Sequence, residues 1–159
     1  MESYIKRIRE KIGRQKLIHP AARILIENDS GEFLFLEKNH RTGLGVPAGA
    51  LEENETIEEC IIREVKEETG IEVIHLEVIG ISTQPGKETV MYPNGDLIQY
   101  FTVEFHSKRW QGTLQIEDTQ EVKRVFFKDS SYAQYLPPKE KAIFERWNFF
   151  QTNQKVFER

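Results

Sequence analysis

The chain predicts a mixed α/β fold, with a mixed β-sheet between helical layers. Three observations carry this expectation. Two stretches, near residues 57–69 and 138–155, repeat their apolar residues at helical spacing. Between and before them lie short β-branched and aromatic runs bounded by turn residues. Strands interrupted by long helices need a helical layer to cover each sheet face.

Taken in order, Ile5, Ile8 and Ile12 mark a short amphipathic helix over residues 1–14, read as a packing or dimer-contact element. Residues 21–27 (AARILIE) and 32–37 (EFLFLE) read as strands joined by the turn Asn28-Asp29-Ser30-Gly31. Residues 43–50 are too rich in glycine and proline for a regular element. They read as a loop whose backbone carbonyls can approach a ligand. Thr56 followed by Glu59 forms a capping box and opens a helix with an apolar stripe of Ile57, Ile61, Ile62 and Val65. Gly70 stands where a left-handed cap would end it.

Residues 72–82 are strand-like. Residues 89–92 and 96–106 form two strands about the turn Pro93-Asn94-Gly95. Residues 121–128 are a further strand. Pro138 opens the last helix, with Ile143, Trp147 and Phe150 on one face. At 159 residues the chain is expected to form one domain, 1–159.

The chemistry concentrates in residues 49–71, GALEENETIEECIIREVKEETGI, which hold eight glutamates. Glu64, Glu67 and Glu68 fall at i, i+3 and i+4, so a helix brings their carboxylates to one side. Like charges so placed repel and raise each other's pKa. A hard divalent cation bound through oxygen relieves that repulsion. A solvated acidic face is the plainer reading of three such glutamates.

The spacing resembles the signature of the MutT-like Nudix hydrolases, G-x5-E-x7-R-E-U-x-E-E-x-G-U, with U a bulky aliphatic residue. Gly49, Glu55, Arg63, Glu64, Val65, Glu67, Glu68, Gly70 and Ile71 meet every fixed position. Two departures are Ala48, where many members carry glycine, and Leu44, where many carry tryptophan. The resemblance implies an α/β/α sandwich and hydrolysis of the pyrophosphate linkage of a nucleoside diphosphate joined to another group. It implies Mg²⁺ or Mn²⁺ held by Glu67, Glu68, Glu64 and the Ala48 carbonyl, with Glu64 an alternative proton acceptor. Arg63 is expected to hold the loop through Glu55, and Gly49, Glu55 and Gly70 to shape the box. Glu52 is a weaker metal candidate.

Outside the box, Glu117, Asp118 and Glu121 precede a late strand, where such enzymes often place a further acid. Glu121 is the best placed of the three, with a solvated loop acid as the equal alternative. Tyr92 and Asp96 are candidates to stack on a base or bond a ribose, against the plainer reading of a hairpin tip. His40 and Arg41, ahead of the glycine loop, are candidates to meet a phosphate.

Net charge is −4 with no basic stripe, which argues against general nucleic-acid binding and leaves a small nucleotide as the expected partner. Cys60 stands alone, so no disulfide forms within the chain, and a cytoplasmic setting is expected. It reads as a packing residue. No apolar run reaches the roughly 18 residues needed to span a membrane. Homodimerisation is expected from the apolar helices at both ends.

The substrate stays open between ADP-ribose-like compounds, hinted at by Pro85-Gly86, and nucleoside triphosphates. A catalytically silent nucleotide-sensing or protein-binding module is the alternative to an enzyme.

Overall fold

The structure is a computed structural model and describes residues 2–39 and 43–156. His40 and Arg41, the expected phosphate contacts, lie outside the described residues. The order of elements is α1 (Tyr4–Ile12), β1 (Leu17–Ile26), β2 (Phe33–Lys38), β3 (Leu44–Gly45), β4 (Ala48–Ala50), α2 (Ile57–Thr69), β5 (Glu72–Val73) and β6 (Glu77–Ser82). There follow α3 (Pro85–Glu88), β7 (Thr89–Met91), β8 (Leu97–Ser107), β9 (Trp110–Gln111), β10 (Val122–Lys128), a 3-10 turn (Ser130–Tyr135) and α4 (Pro138–Asn153).

The larger sheet runs β4-β1-β8-β6, with β7 also paired to β8. β1 and β8 are parallel and the other pairings antiparallel, so the sheet is mixed, as expected. A second sheet runs β10-β2-β3, and β5 pairs with β9.

Alternation along β1 explains the layers. Ala22, Ile24 and Ile26 face a core with Cys60, Ile61 and Val65 of α2. Leu25 faces a second core with Ile143 and Trp147 of α4. β2 divides in the same way, Leu34 to the first core and Phe33 and Phe35 to the second. Ile61 is fully buried, and Ile61→Ala there would cost about 2–5 kcal/mol.

Three differences from the sequence reading have physical causes. First, β1 and β2 are joined by the expected turn, in which Asn28 Oδ1 accepts from the backbone of Ser30 and Glu32. They enter different sheets, however, and among the described residues the one β-bridge between them is Glu27–Phe33. Both edges of β1 are already taken, by β4 and β8. Second, residues 72–82 break into β5 and β6. The break falls at Ile74, whose N–H turns to Arg109 O at 2.8 Å as β5 leaves to pair with β9.

Third, the glycine loop carries two short strands. β3 pairs with β2, and β4 with β1. The loop therefore stitches the two sheets together. Buried Val46 lies between the strands, and Pro47 O accepts from Ile24 N–H at 3.0 Å. The β7–β8 hairpin forms about residues 92–96, as expected.

Candidate active site

α2 starts and stops where its sequence dictates. Thr56 Oγ1 accepts from Glu59 N–H at 3.1 Å, and Glu59 Oε2 accepts from Thr56 N–H at 2.7 Å. Gly70 ends the helix at φ 81°, a left-handed conformation that suits glycine. The turn after β9 folds onto that end, with Gln115 N–H on Thr69 O at 2.8 Å.

Arg63 organises the loop ahead of the helix. Its Nε and Nη2 bond both Glu55 oxygens, at 3.0 and 2.7 Å, and Nη2 also donates to Ala50 O at 3.2 Å. This bidentate pair holds the Glu55 carboxyl below the usual carboxylate range. Glu55 Oε1 in turn accepts from Glu52 N–H at 2.8 Å. The loop partner expected of Arg63 is thus in place. Arg63 also reaches the acid face, with Nη1 2.8 Å from Glu64 and 3.4 Å from Glu67.

Glu64 lies against the backbone of Gly49. A Cβ on Gly49 would fall 2.0 Å from the Glu64 carboxyl carbon, so any larger residue would push that carboxyl aside. Burial pushes the Glu64 carboxyl up to about 7, against the pull of Arg63, with Glu67 and Glu121 adding to the rise. Glu68 is 2 % exposed. Burial pushes its carboxyl up to about 8, and Glu64 and Glu121 contribute.

Glu68 Oε1 takes the Lys38 ammonium at 3.0 Å, and Oε2 takes Ala48 N–H at 3.2 Å. Lys38 also reaches Glu121 at 3.3 Å. Burial alone would lower the Lys38 pKa; the carboxylates of Glu68 and Glu121 outweigh it and raise it.

Sequence reasoning missed Lys38. Its signal was parity: on β2 it shares the face of Leu34, which packs toward α2.

The acids fit a hard cation by chemistry. They offer only oxygen donors, and Glu55, Glu64, Glu67, Glu68 and Glu121 share two cationic neighbours, Lys38 and Arg63. Five carboxylates against two cations leave negative charge in excess here. Among the described residues no three acidic side chains enclose an ion position, because Lys38 and Arg63 occupy the space between them.

A cleft of about 280 Å³ opens beside this face. Ala48, Gly49, Glu64, Glu121 and Tyr92 line it. Asp96, expected as a ribose contact, is not among the residues that line it; it pairs with Arg9 at 3.6 Å. Glu117 and Asp118 cap the end of α2 instead, each donating its N–H to Glu67 O. Glu52 accepts from Tyr4 N–H at 2.8 Å. Cys60 is a packing residue, fully buried, with its thiol pushed up to about 12 by burial.

The opposite wall is a buried ionic network. Arg23 donates to Glu88 at 3.0 and 3.1 Å and to Glu104 at 3.0 Å. Arg146 pairs with Glu104, and Thr102 Oγ1 donates to Glu88 at 3.1 Å.

Similarity to known proteins agrees with this geometry. An NAD-capped RNA hydrolase NudC of Vibrio atlanticus is 44% identical over 64 residues, covering 40% of this chain and 24% of that protein. An ADP-ribose pyrophosphatase of Methanocaldococcus jannaschii is 32% identical over 102 residues, covering 60% of this chain and 58% of that protein. The chain thus spans well under two thirds of the length of either relative.

A MutT protein from Methanosarcina mazei Go1 superposes with a TM-score of 0.67 at 21% identity, covering 89% of this chain and 99% of that one. A MutT NUDIX hydrolase from Burkholderia pseudomallei does so at 0.64 and 15% identity, covering 81% and 97%. Those likenesses show a shared fold. The NUDIX domain model matches residues 17–151, most of the chain including all of α2 and its loop, and the protein belongs to that family.

Proposed function

We propose that the protein is a pyrophosphohydrolase dependent on a divalent cation, Mg²⁺ or Mn²⁺. Its substrate would be a nucleoside diphosphate linked to another group, as an ADP-ribose-like compound or a nucleoside triphosphate. The observation that carries this reading is the excess of carboxylate over cation on the cleft face of α2, with Glu64 seated on Gly49.

Glu64, Glu67, Glu68 and the Ala48 carbonyl would hold the cation, in competition with Lys38 and Arg63 for the same oxygens. When bound, the cation neutralises phosphate oxygens and lowers the pKa of water. Where Glu64 is not itself a ligand, its place on the cleft face suits it to accept the proton of the attacking water instead. Glu121 stands on the same side of the cleft as a further acid, held by Lys38. Arg63 positions Glu64 and the loop through Glu55, and Tyr92 offers its ring to the substrate. One relative is named an ADP-ribose pyrophosphatase and another a hydrolase of NAD-capped RNA, which supports the reaction class.

The reading places the enzyme in the cytoplasm, acting on small nucleotides. No helix among the described residues is long and apolar enough to cross a membrane. Homodimerisation is part of the proposal, with light scattering as its check.

One observation favours a silent nucleotide-binding module instead: the Lys38 ammonium sits on Glu68, where a cation would bind. A coupled phosphate-release screen separates the two. ADP-ribose, nucleotide sugars, dinucleoside polyphosphates, NADH, and normal and oxidised nucleoside triphosphates are offered with Mg²⁺ or Mn²⁺. Turnover of one class, abolished by chelator, is the expected result. Nucleotide binding without release of nucleoside monophosphate would establish the silent module.

A further inference from the structure

The N-terminal helix lies outside residues 17–151, yet Ser3 and Ile5 line the cleft. α1 buries no residue fully, so apolar packing alone does not fix it. Polar links do. The Tyr4 N–H donates to Glu52 Oε2 at 2.8 Å, and Arg7 pairs with Glu53. Arg9 donates from Nη2 to Leu97 O at 2.8 Å and faces Asp96. The Tyr4 ring stacks on His19, whose Nε2 is 2.9 Å from Leu51 O. The helix therefore spans from the loop ahead of α2 to the tip of the β7–β8 hairpin.

Charge divides the cleft lengthwise. In register, Ala21 faces Ala50 and Arg23 faces Ala48. The cations that line the cleft gather at the Arg23–Ala48 end. Lys38 reaches Glu68, which holds Ala48 N–H, and Lys139 O accepts from Arg23 at 3.0 Å. The α1 end offers Ser3, Ile5, Glu52 and the linked hydroxyls of Tyr92 and Tyr100, 2.5 Å apart. The Arg23–Ala48 end also carries Glu64, Glu88, Glu121 and Glu140, so a diphosphate is favoured there once a divalent cation is held by the acids. At the α1 end it meets only neutral groups and a carboxylate.

We propose that α1 is a specificity wall: Ser3 and Ile5, across from Tyr92 and Tyr100, receive the nucleoside part of the substrate and limit its size. The aromatic rings and Ile5 suit a planar base, and the hydroxyls suit a ribose. The assignment of the diphosphate to the opposite end rests on the hydrolase reading above; binding of the nucleoside does not.

The test measures binding by calorimetry with Mg²⁺, using ADP-ribose, GTP and inorganic pyrophosphate as probes, alongside turnover. The full chain is compared with Ile5→Trp, which fills the α1 end, and Arg9→Ala, which unfastens the helix. Lys11→Ala, on an exposed position of the helix, is the control. Circular dichroism confirms that each variant is folded.

Ile5→Trp is expected to weaken the better nucleotide at least about ten-fold, while pyrophosphate changes less than about two-fold. For a nucleotide that is turned over, KM should rise with little change in kcat. Arg9→Ala should shrink the preference between ADP-ribose and GTP, and Lys11→Ala should leave it unchanged.

Equal loss for nucleotide and pyrophosphate overturns the proposal, as does no change in Ile5→Trp and Arg9→Ala alike. Failure of the wild type to bind any nucleotide does so too. Differential binding without turnover sustains this proposal while removing the hydrolase reading. Turnover with unmoved ratios does the reverse.

Discussion

On the α2 side of the cleft, five carboxylates, those of Glu55, Glu64, Glu67, Glu68 and Glu121, share two cations, Lys38 and Arg63. On the other wall two carboxylates, Glu88 and Glu104, share two guanidinium groups, Arg23 and Arg146. The second cluster is closed to solvent and balanced in charge, with Arg23 Nε and Arg146 Nη2 lacking hydrogen-bond partners among the described residues, and every one of its members is under 9 % exposed. The first is open to the cleft and carries excess negative charge. A balanced buried network stabilises one arrangement of strands and helices. An unbalanced, partly open one stores repulsion that a ligand can relieve.

Crossed substitutions are the strongest way to break that contrast. Glu67 is half exposed, with its side chain at 46 %. Glu67→Gln is expected to lower kcat/KM by about 10²–10⁴-fold while the urea midpoint barely moves. Arg23→Ala should do the opposite in kind. It strands Glu88, leaves Glu104 with Arg146 alone, and should cost about 3–5 kcal/mol of stability, read by urea unfolding. If Glu67→Gln unfolded the protein, or Arg23→Ala left its stability intact, the two clusters would not differ as described.

Gly49→Ala sharpens the comparison within the open cluster. The added methyl would displace the Glu64 carboxyl, and a displacement near 1 Å is expected to cost about 10²-fold in turnover. A fully active Gly49→Ala enzyme would show that Glu64 need not sit where it does.

The open cluster also sets a pH dependence. The Glu64 and Glu68 carboxyls lie above their ordinary value of 4.5 in the folded chain, near 7 and 8. The folded protein therefore holds protons that the unfolded chain has released. This stabilisation is complete below the ordinary carboxylate range and is lost as pH rises through 7 and 8. In the absence of divalent cation, stability should fall from pH 5 to 9, by at most about 1.4 kcal/mol per pH unit for each group. Urea midpoints at pH 5, 7 and 9 check this, and a rising profile would contradict it. Turnover with cation should climb from neutral to alkaline pH as the same groups lose protons.

The open cluster was legible in the sequence because its spacing lies within one helix and one loop. Arg63 reaches Glu55, Glu67 one helical turn along, and its neighbour Glu64. The closed cluster was not, since its members lie at positions 23, 88, 104 and 146. Arg23 and Glu104 meet only because β1 and β8 pair in parallel, in a register that sets them side by side.

Each is a lone charge inside an apolar run, ARILI and TVEFH. That marks a buried polar group without naming its partner. Lys38 was hidden for the same reason: its partners Glu68 and Glu121 come from other elements. Nothing local to the hairpin foretells Arg9 of α1 beside Asp96.

The most direct test of the unbalanced cluster is a calorimetric Mn²⁺ titration at pH 7 in buffers of different ionisation enthalpy, comparing the wild type with Glu68→Gln. Cation binding that releases protons from Glu64 and Glu68, and that weakens sharply in Glu68→Gln, is the expected result. Absence of Mn²⁺ binding, or binding with no proton release and equal strength in the variant, would contradict the assignment of these acids to a cation.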